Sequence, residues 1–178
     1  DEAERCYKES LSISEQMKNF PYAASTSNQL AIVAKGAGRL DEAERWYVRA
    51  IELKEQVGNP KELSSSLNNL ADLLLTQNRL DEAERYAHKA REIIETLDLS
   101  AQPWTTYSIL AQIATKRGKQ DEARGWRRKE QETFAAFAGT DYQLQQADPV
   151  INVIVAACQG NEQAREAVKE LLKQLESG

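Results

Sequence analysis

Acidic pairs that could serve as general acid and base recur along this chain, at Asp1-Glu2, Asp41-Glu42, Asp81-Glu82 and Asp121-Glu122. Two carboxylates do acid–base work when their surroundings push their proton affinities apart. Each of these pairs instead opens an amphipathic segment, where the positive end of a helix dipole accounts for both charges. Nucleophilic and metal chemistry have even less material. His88 is the single histidine and lies between Ala87 and Lys89, so neither a histidine metal cluster nor a Ser-His-Asp set can be assembled around it. Cys6 and Cys158 have no histidine near them in sequence, and no Gly-rich phosphate loop is present. The chain is therefore expected to be non-catalytic and to need no cofactor or metal.

What those acidic pairs do is mark a period. Asp-Glu-Ala-Glu, with Arg in the fourth place of the last copy, starts at residues 1, 41, 81 and 121, a spacing of 40 (41−1, 81−41, 121−81). Each unit reads as two helices. In the first, Leu30-Ala31, Leu70-Ala71 and Leu110-Ala111 sit in phase, with apolar residues three and four apart. The second helix starts at Asp41, Asp81 or Asp121. Gly38, Asn78 and Gly118 precede it, residue types that permit the left-handed backbone of a tight turn. All four prolines, Pro21, Pro60, Pro103 and Pro149, fall where a first helix should begin, a position that tolerates proline. Two unrelated signals thus give one segmentation. It comprises a lone second helix over 1–18, hairpins over about 21–57, 61–98 and 103–138, and a divergent capping pair over 139–178. In that last pair Asp148 caps a first helix ending at Cys158, and a terminal amphipathic helix runs from Asn161 to Leu175. The expected fold is all-α, a solenoid of about nine helices.

Composition narrows the partners. With 28 acidic against 23 basic residues the net charge is −5, and the one basic run, Arg127-Arg128-Lys129, is followed by Glu130 and Glu132. Nucleic acid is not expected, because phosphate binding needs a concentrated basic surface. No membrane partner is expected either, since the run from Val153 to Cys158 falls far short of the roughly 20 residues a bilayer needs. The two cysteines lie at opposite ends of an elongated stack and read as free thiols of a cytoplasmic protein. The chain opens at Asp1 without a methionine and partway through a repeat, so an upstream segment is expected to have been removed.

The spacing Leu70-Ala71-x-x-Leu74, then Asn78, Leu80, Ala83 and Ala90, resembles the tetratricopeptide (TPR) pattern, with small residues where two helices approach closely. Leu30-Ala31, Gly38, Leu40, Ala43, Tyr47 and Ala50 repeat it. Tyr107, Leu110, Ala111, Gly118 and Ala123 follow it again, and Ala3 and Tyr7 give a leading fragment. The resemblance covers about residues 1–138. Its period is about six residues longer than the roughly 34 of the common repeat. That longer form is similar to the TPRs of kinesin light chains and of bacterial STAND-type signalling ATPases. HEAT and armadillo repeats have a compatible period but lack the Asp-Glu-Ala register.

The resemblance implies a right-handed superhelix of antiparallel hairpins whose first helices line a concave groove. Matching the register puts Ser25, Asn28, Ile32 and Lys35 on that groove, then Ser65, Asn68, Asp72 and Leu75, then Thr105, Ser108, Gln112 and Thr115. Their amides and hydroxyls can hydrogen-bond the main chain of an extended peptide, and such a low-charge surface stands out in a chain rich in Glu and Lys. Soluble filler on an exposed helix face is the bland alternative. Asn69 beside Asn68 resembles the asparagines with which kinesin light chains hold cargo peptides. The two-carboxylate clamp for chaperone tails is disfavoured, because Asn28 and Ile32 stand where it needs lysine and asparagine. Trp104, just after Pro103, is expected as an exposed anchor at the groove edge. Cys6, Trp46, Tyr86 and Trp126 recur in one phase on the second helices and read as packing between repeats. In the third unit Ala123, Trp126, Phe134 and Phe137 are expected to form the buried face of a rotated second helix. The expected function is a protein-interaction scaffold holding a peptide or partner helix in the groove. Two alternatives are the sensor or regulatory region of a larger signalling ATPase, and self-association of a homo-oligomer through Tyr7, Leu11 and Ile13 on the unpaired first helix.

Overall fold

A computed structural model describes residues 2–97, 102–140, 161–166 and 168–169 of the chain. Seven helices run in order: α1 (Glu2–Gln16), α2 (Phe20–Gly36), α3 (Leu40–Val57), α4 (Pro60–Thr76), α5 (Leu80–Ile94), α6 (Pro103–Lys116) and α7 (Gln120–Thr140). No strand occurs among the described residues. Helices α2 and α3, α4 and α5, and α6 and α7 form hairpins; α1 packs on α2, α3 on α4, and α5 on α6, while α4 also touches α6 directly. The architecture is the expected all-α, TPR-like solenoid. Of the divergent last pair, the expected first helix through Pro149 to Cys158 lies outside the described residues. Asn161 accepts a hydrogen bond from the Ala164 amide at 3.1 Å and opens a helical stretch at 162–166.

The prolines and the turn residues act where their chemistry requires. Pro21, Pro60 and Pro103 occupy the first turns of α2, α4 and α6, where a missing amide hydrogen costs nothing. Asn19 and Asn59 cap two of these helices, their side chains accepting from Tyr22 at 3.3 Å and Glu62 at 3.2 Å. The hairpin turns pass through Gly38 (φ 75°), Asn78 (φ 61°) and Gly118 (φ 74°), the left-handed conformation that glycine and asparagine adopt most readily. The acidic pairs lie in the first turns of α3, α5 and α7, and α3 and α5 have arginines at their N-caps that make no side-chain capping bond. Dipole complementarity rather than capping therefore favours these starts.

Alanines let the helices close on one another. Ala31, Ala43, Ala71, Ala83, Ala87 and Ala90 are completely buried, and Leu67, Leu70, Leu73 and Leu74 fill the space between them in one core with Tyr47, Tyr107 and Ile113. A smaller cluster joins Leu11 to Ala23 and Leu30, with Tyr7 and Trp46 packed against it. Leu11 is thus covered by α2. Of the residues expected to offer a self-association face, Ile13 is exposed and Tyr7 half-buried.

The aromatic column behaves as packing: Trp46, Tyr86 and Trp126 are partly buried against the main core, although Cys6 is exposed. The third unit departs from the expected buried face. Ala123 is buried, but Phe134 remains 49% exposed, and with Phe137 it closes on Trp104, at ring-centroid distances of 5.6 and 4.7 Å. Trp104 is consequently half-buried under α7 instead of standing free, because edge-on aromatic contact takes up the surface an exposed anchor would offer.

Candidate functional site

Helices α2, α4 and α6 sit in equivalent places in successive hairpins, and their polar residues meet across the joints between them. At the α2/α4 joint the Asn28 side-chain oxygen accepts from the Ser66 hydroxyl at 3.2 Å and from the Asn69 amide at 3.3 Å. Two turns further along α2, the Lys35 ammonium pairs with the Asp72 carboxylate. Burial, and secondarily that same carboxylate, push the Tyr47 phenol up to about 12. At the α4/α6 joint the Asn68 amide and the Thr106 hydroxyl bond each other reciprocally, at 2.9 and 3.0 Å. There Lys116 donates to the Leu75 carbonyl at 3.0 Å.

Behind the first joint lies a lysine in an unusual setting. Lys54, near the end of α3, is only 6% exposed. Its ammonium donates to the Ser66 hydroxyl at 2.8 Å and to the Glu62 carbonyl at 3.3 Å, with the Glu62 carboxylate 3.8 Å away. Burial pushes the ammonium below the usual lysine range, partly opposed by Glu62. A polar chain therefore runs from α3 through Ser66 to Asn28 and Asn69.

The expected groove residues separate into three sets. Ser25, Ile32, Ser65, Thr105 and Gln112 are exposed, while Asn28, Lys35, Asn69, Asp72, Ser108 and Thr115 are half-buried. Asn68 and Leu75 are buried, at 5% and 4% exposure, and belong to the contact between repeats. Thr115 bonds the Ala111 carbonyl of its own helix at 2.7 Å and accepts from Arg127 of α7 at 3.1 Å. Lys61, Glu62, Ser65, Asn68, Asn69, Gln102 and Thr105 line a cleft of about 280 Å³ between the starts of α4 and α6. Sequence reasoning missed Lys61, Glu62 and Gln102, which stand at the mouths of these helices. It also missed Lys54, Ser66 and Thr106, although Thr26, Ser66 and Thr106 share the 40-residue spacing and could have been found by it.

The second helices carry a different surface. A wider cleft, of about 550 Å³, is bordered by Asp41, Glu44, Arg45, Val48, Arg49 and Glu52 on α3. Ion pairs bridge this side: Arg39 with Glu4 and Glu42, Arg79 with Glu44 and Glu82, Arg117 with Asp81 and Glu84, and Arg49 with Glu15. Arg39, followed by Lys8, holds the Glu4 carboxyl down to about 2, and Arg79 holds Glu82 below the usual carboxylate range. No group of three or more histidine, cysteine or carboxylate side chains placed to hold a metal ion occurs among the described residues.

The family model of the MalT-like TPR region matches residues 1–177. The chain belongs to that family. Among solved structures, this TPR region is similar to BtubC (BKLC) from P. vanneervenii, with 22% identity and a TM-score of 0.69 over 99% of this chain and 72% of that one. It is also similar to the nearly identical TPR-like repeats of a putative kinesin light chain from P. anserina, at 16% identity and a TM-score of 0.61, covering 99% of this chain and 84% of that one. At these identities the likeness is one of fold. A comparison with curated proteins gives no match. A TPR-like repeat domain is generally a protein-interaction or regulatory module, and the fold is typically non-catalytic. Among the described residues no helix is long and apolar enough to cross a membrane.

Proposed function

We propose that this TPR region is a non-catalytic scaffold that binds an extended peptide or a partner helix of another protein along the face formed by α2, α4 and α6. The observation that carries this reading is a set of exposed polar side chains with nothing to do inside the fold. Ser25, Ser65, Thr105 and Gln112 are exposed, and among the described residues their side chains make no hydrogen bond. Next to them, the half-buried Asn28 and Asn69 bond each other across a joint and keep further hydrogen-bonding capacity. Neutral donors and acceptors of this kind suit the main chain of a bound segment, whose polar groups demand partners once water is displaced. On the second-helix side, by contrast, the arginines at the turns are neutralised by neighbouring carboxylates.

Selection of displayed random peptides on the intact chain tests the proposal. Peptides that bind the wild type and are lost from the Asn69→Ala and Ser65→Ala/Thr105→Ala variants support it; binding that survives all of these changes overturns it. Asn68 is left untouched in this test, because its amide holds two repeats together.

A second reading makes the chain the sensor or regulatory region of a larger signalling ATPase, and the MalT-like match across residues 1–177 is what favours it. A full-length gene without a phosphate-binding Gly-rich loop would remove that reading.

A further inference from the structure

The α2/α4 joint carries a buried charge whose consequence reaches the exposed face. A protonated lysine has three donors and no acceptor. Because the Lys54 ammonium donates to Ser66 at 2.8 Å, the serine oxygen accepts there, and its single proton is left to be given elsewhere. That proton goes to the Asn28 oxygen at 3.2 Å. The same oxygen also takes a hydrogen from Asn69 at 3.3 Å, so both of its lone pairs are engaged. The Asn28 amide is thereby held with its NH2 group outward, and this group makes no hydrogen bond among the described residues. Asn69 has spent a donor on Asn28, and its own oxygen accepts no hydrogen bond among the described residues.

We infer that Lys54 is a positioning residue that fixes Asn28 as a hydrogen-bond donor and leaves Asn69 as the adjacent acceptor, so that the pair forms a subsite for one peptide unit of an extended main chain. The peptide carbonyl sits on the Asn28 NH2 and a peptide N–H on the Asn69 oxygen. A free carboxylate fits less well, because it would bring its charge against that oxygen, and the nearby Lys35 is already neutralised by Asp72. The inference rests on the peptide reading of this face and adds to it the direction of each bond and the residue that sets it.

The equivalent joint lacks both the lysine and the second asparagine. Forty residues on, Ile94 stands in place of Lys54 and Ile109 in place of Asn69, both buried. There Asn68 turns both of its polar atoms onto Thr106 and is itself buried. With neither an ammonium on the hydroxyl nor a second amide on the asparagine oxygen, the amide and hydroxyl satisfy each other. With the ammonium, the amide is turned outward.

The test uses the intact chain and a peptide selected on it from the displayed library. Asn28→Asp keeps an oxygen for Ser66 but removes the outward donor, so peptide affinity is expected to fall at least about tenfold with the melting temperature unchanged. Lys54→Met removes the charge, and affinity is expected to fall about threefold to tenfold. A ligand-free readout accompanies it, namely exchange of the asparagine side-chain NH2 protons followed by NMR. In the wild type both Asn28 protons exchange freely; in Lys54→Met the amide turns onto Ser66 and one proton becomes protected. Unchanged exchange and affinity in Lys54→Met overturn the relay, and full affinity in Asn28→Asp overturns the donor assignment. If no selected peptide depends on Asn28 or Asn69, the peptide reading itself falls and takes the ligand class with it, while the exchange measurement still reports separately on what Lys54 does.

Discussion

The joint between α2 and α4 and the joint between α4 and α6 are built from the same two positions, an asparagine and a hydroxyl 38 residues later, yet they serve different ends. Asn68 and Thr106 close on each other and are buried, so their bonds hold two repeats together and nothing more. Asn28 and Ser66 form the corresponding bond, but Lys54 drives it in one direction and leaves half of the amide facing outward. On the proposed reading, a structural hydrogen bond becomes a recognition element through two changes beside it, Lys54 where the next unit has Ile94 and Asn69 where it has Ile109. The cost is a buried charge, which Glu62 offsets with its carbonyl at 3.3 Å and its carboxylate at 3.8 Å.

The strongest challenge to this contrast is to move the charge. Ile94→Lys places an ammonium behind Thr106, where Gln102 stands in the place of Glu62 and supplies no carboxylate. A loss of about 3–5 kcal/mol in urea unfolding is expected. A loss below about 1 kcal/mol would mean that the second joint accepts the relay as readily as the first. Next in size, Asn68→Ala takes from the fully buried Thr106 hydroxyl both of its bonds and is expected to cost about 1–3 kcal/mol, whereas Asn28→Ala is expected to cost about 1 kcal/mol, because the equally buried Ser66 hydroxyl keeps the bond from Lys54. Equal costs would erase the distinction between a structural and a presented amide.

Lys54→Met should change stability by no more than about 1 kcal/mol, since replacing a buried charge by an apolar side chain of similar length is often neutral. A loss of about 3 kcal/mol or more would show that the lysine chiefly holds the joint and would weaken its assigned role at the surface.

The smallest effect is expected at the turn arginines, where both joints are alike. The folded-state carboxyl of Glu4 is depressed from 4.5 to about 2, so its contribution is present above the ordinary carboxylate value and lost as pH falls toward 2. Glu82 is depressed in the same direction by Arg79. Melting temperature should therefore hold from neutral pH to about 4.5 and decline below it. Arg39→Gln should flatten the part of that decline that belongs to Glu4.

Much of the fold could be read from residues whose backbone preferences are narrow. Pro21, Pro60 and Pro103 open α2, α4 and α6, and Gly38, Asn78 and Gly118 take the left-handed turns expected of them. Register on a helix gives the direction of a side chain but not how deeply the next helix covers it. That is why Asn68 and Leu75, in phase with exposed neighbours, turn out buried, and why Trp104 lies under Phe134 and Phe137. Lys54 was hidden for another reason. Lysine is ordinarily a surface residue, and its burial depends on acceptors from Glu62 and Ser66, on the next helix, that no local pattern joins to it.

The paired turn arginines also bear on how such an array can lengthen. Arg39 reaches Glu4 and Arg79 reaches Glu44, each across 35 residues of one block that begins at Asp1 or Asp41. In the third block the equivalent place is Lys119, which pairs with Glu122, and Arg117 two residues earlier reaches Glu84 instead. The three blocks that begin at Asp1, Asp41 and Asp81 each carry both halves of a clasp. An added block thus brings its own arginine and carboxylate, whereas removing residues 41–80 would take Asp72 from Lys35 and leave Gln112 in its place, so the array lengthens more easily than it shortens.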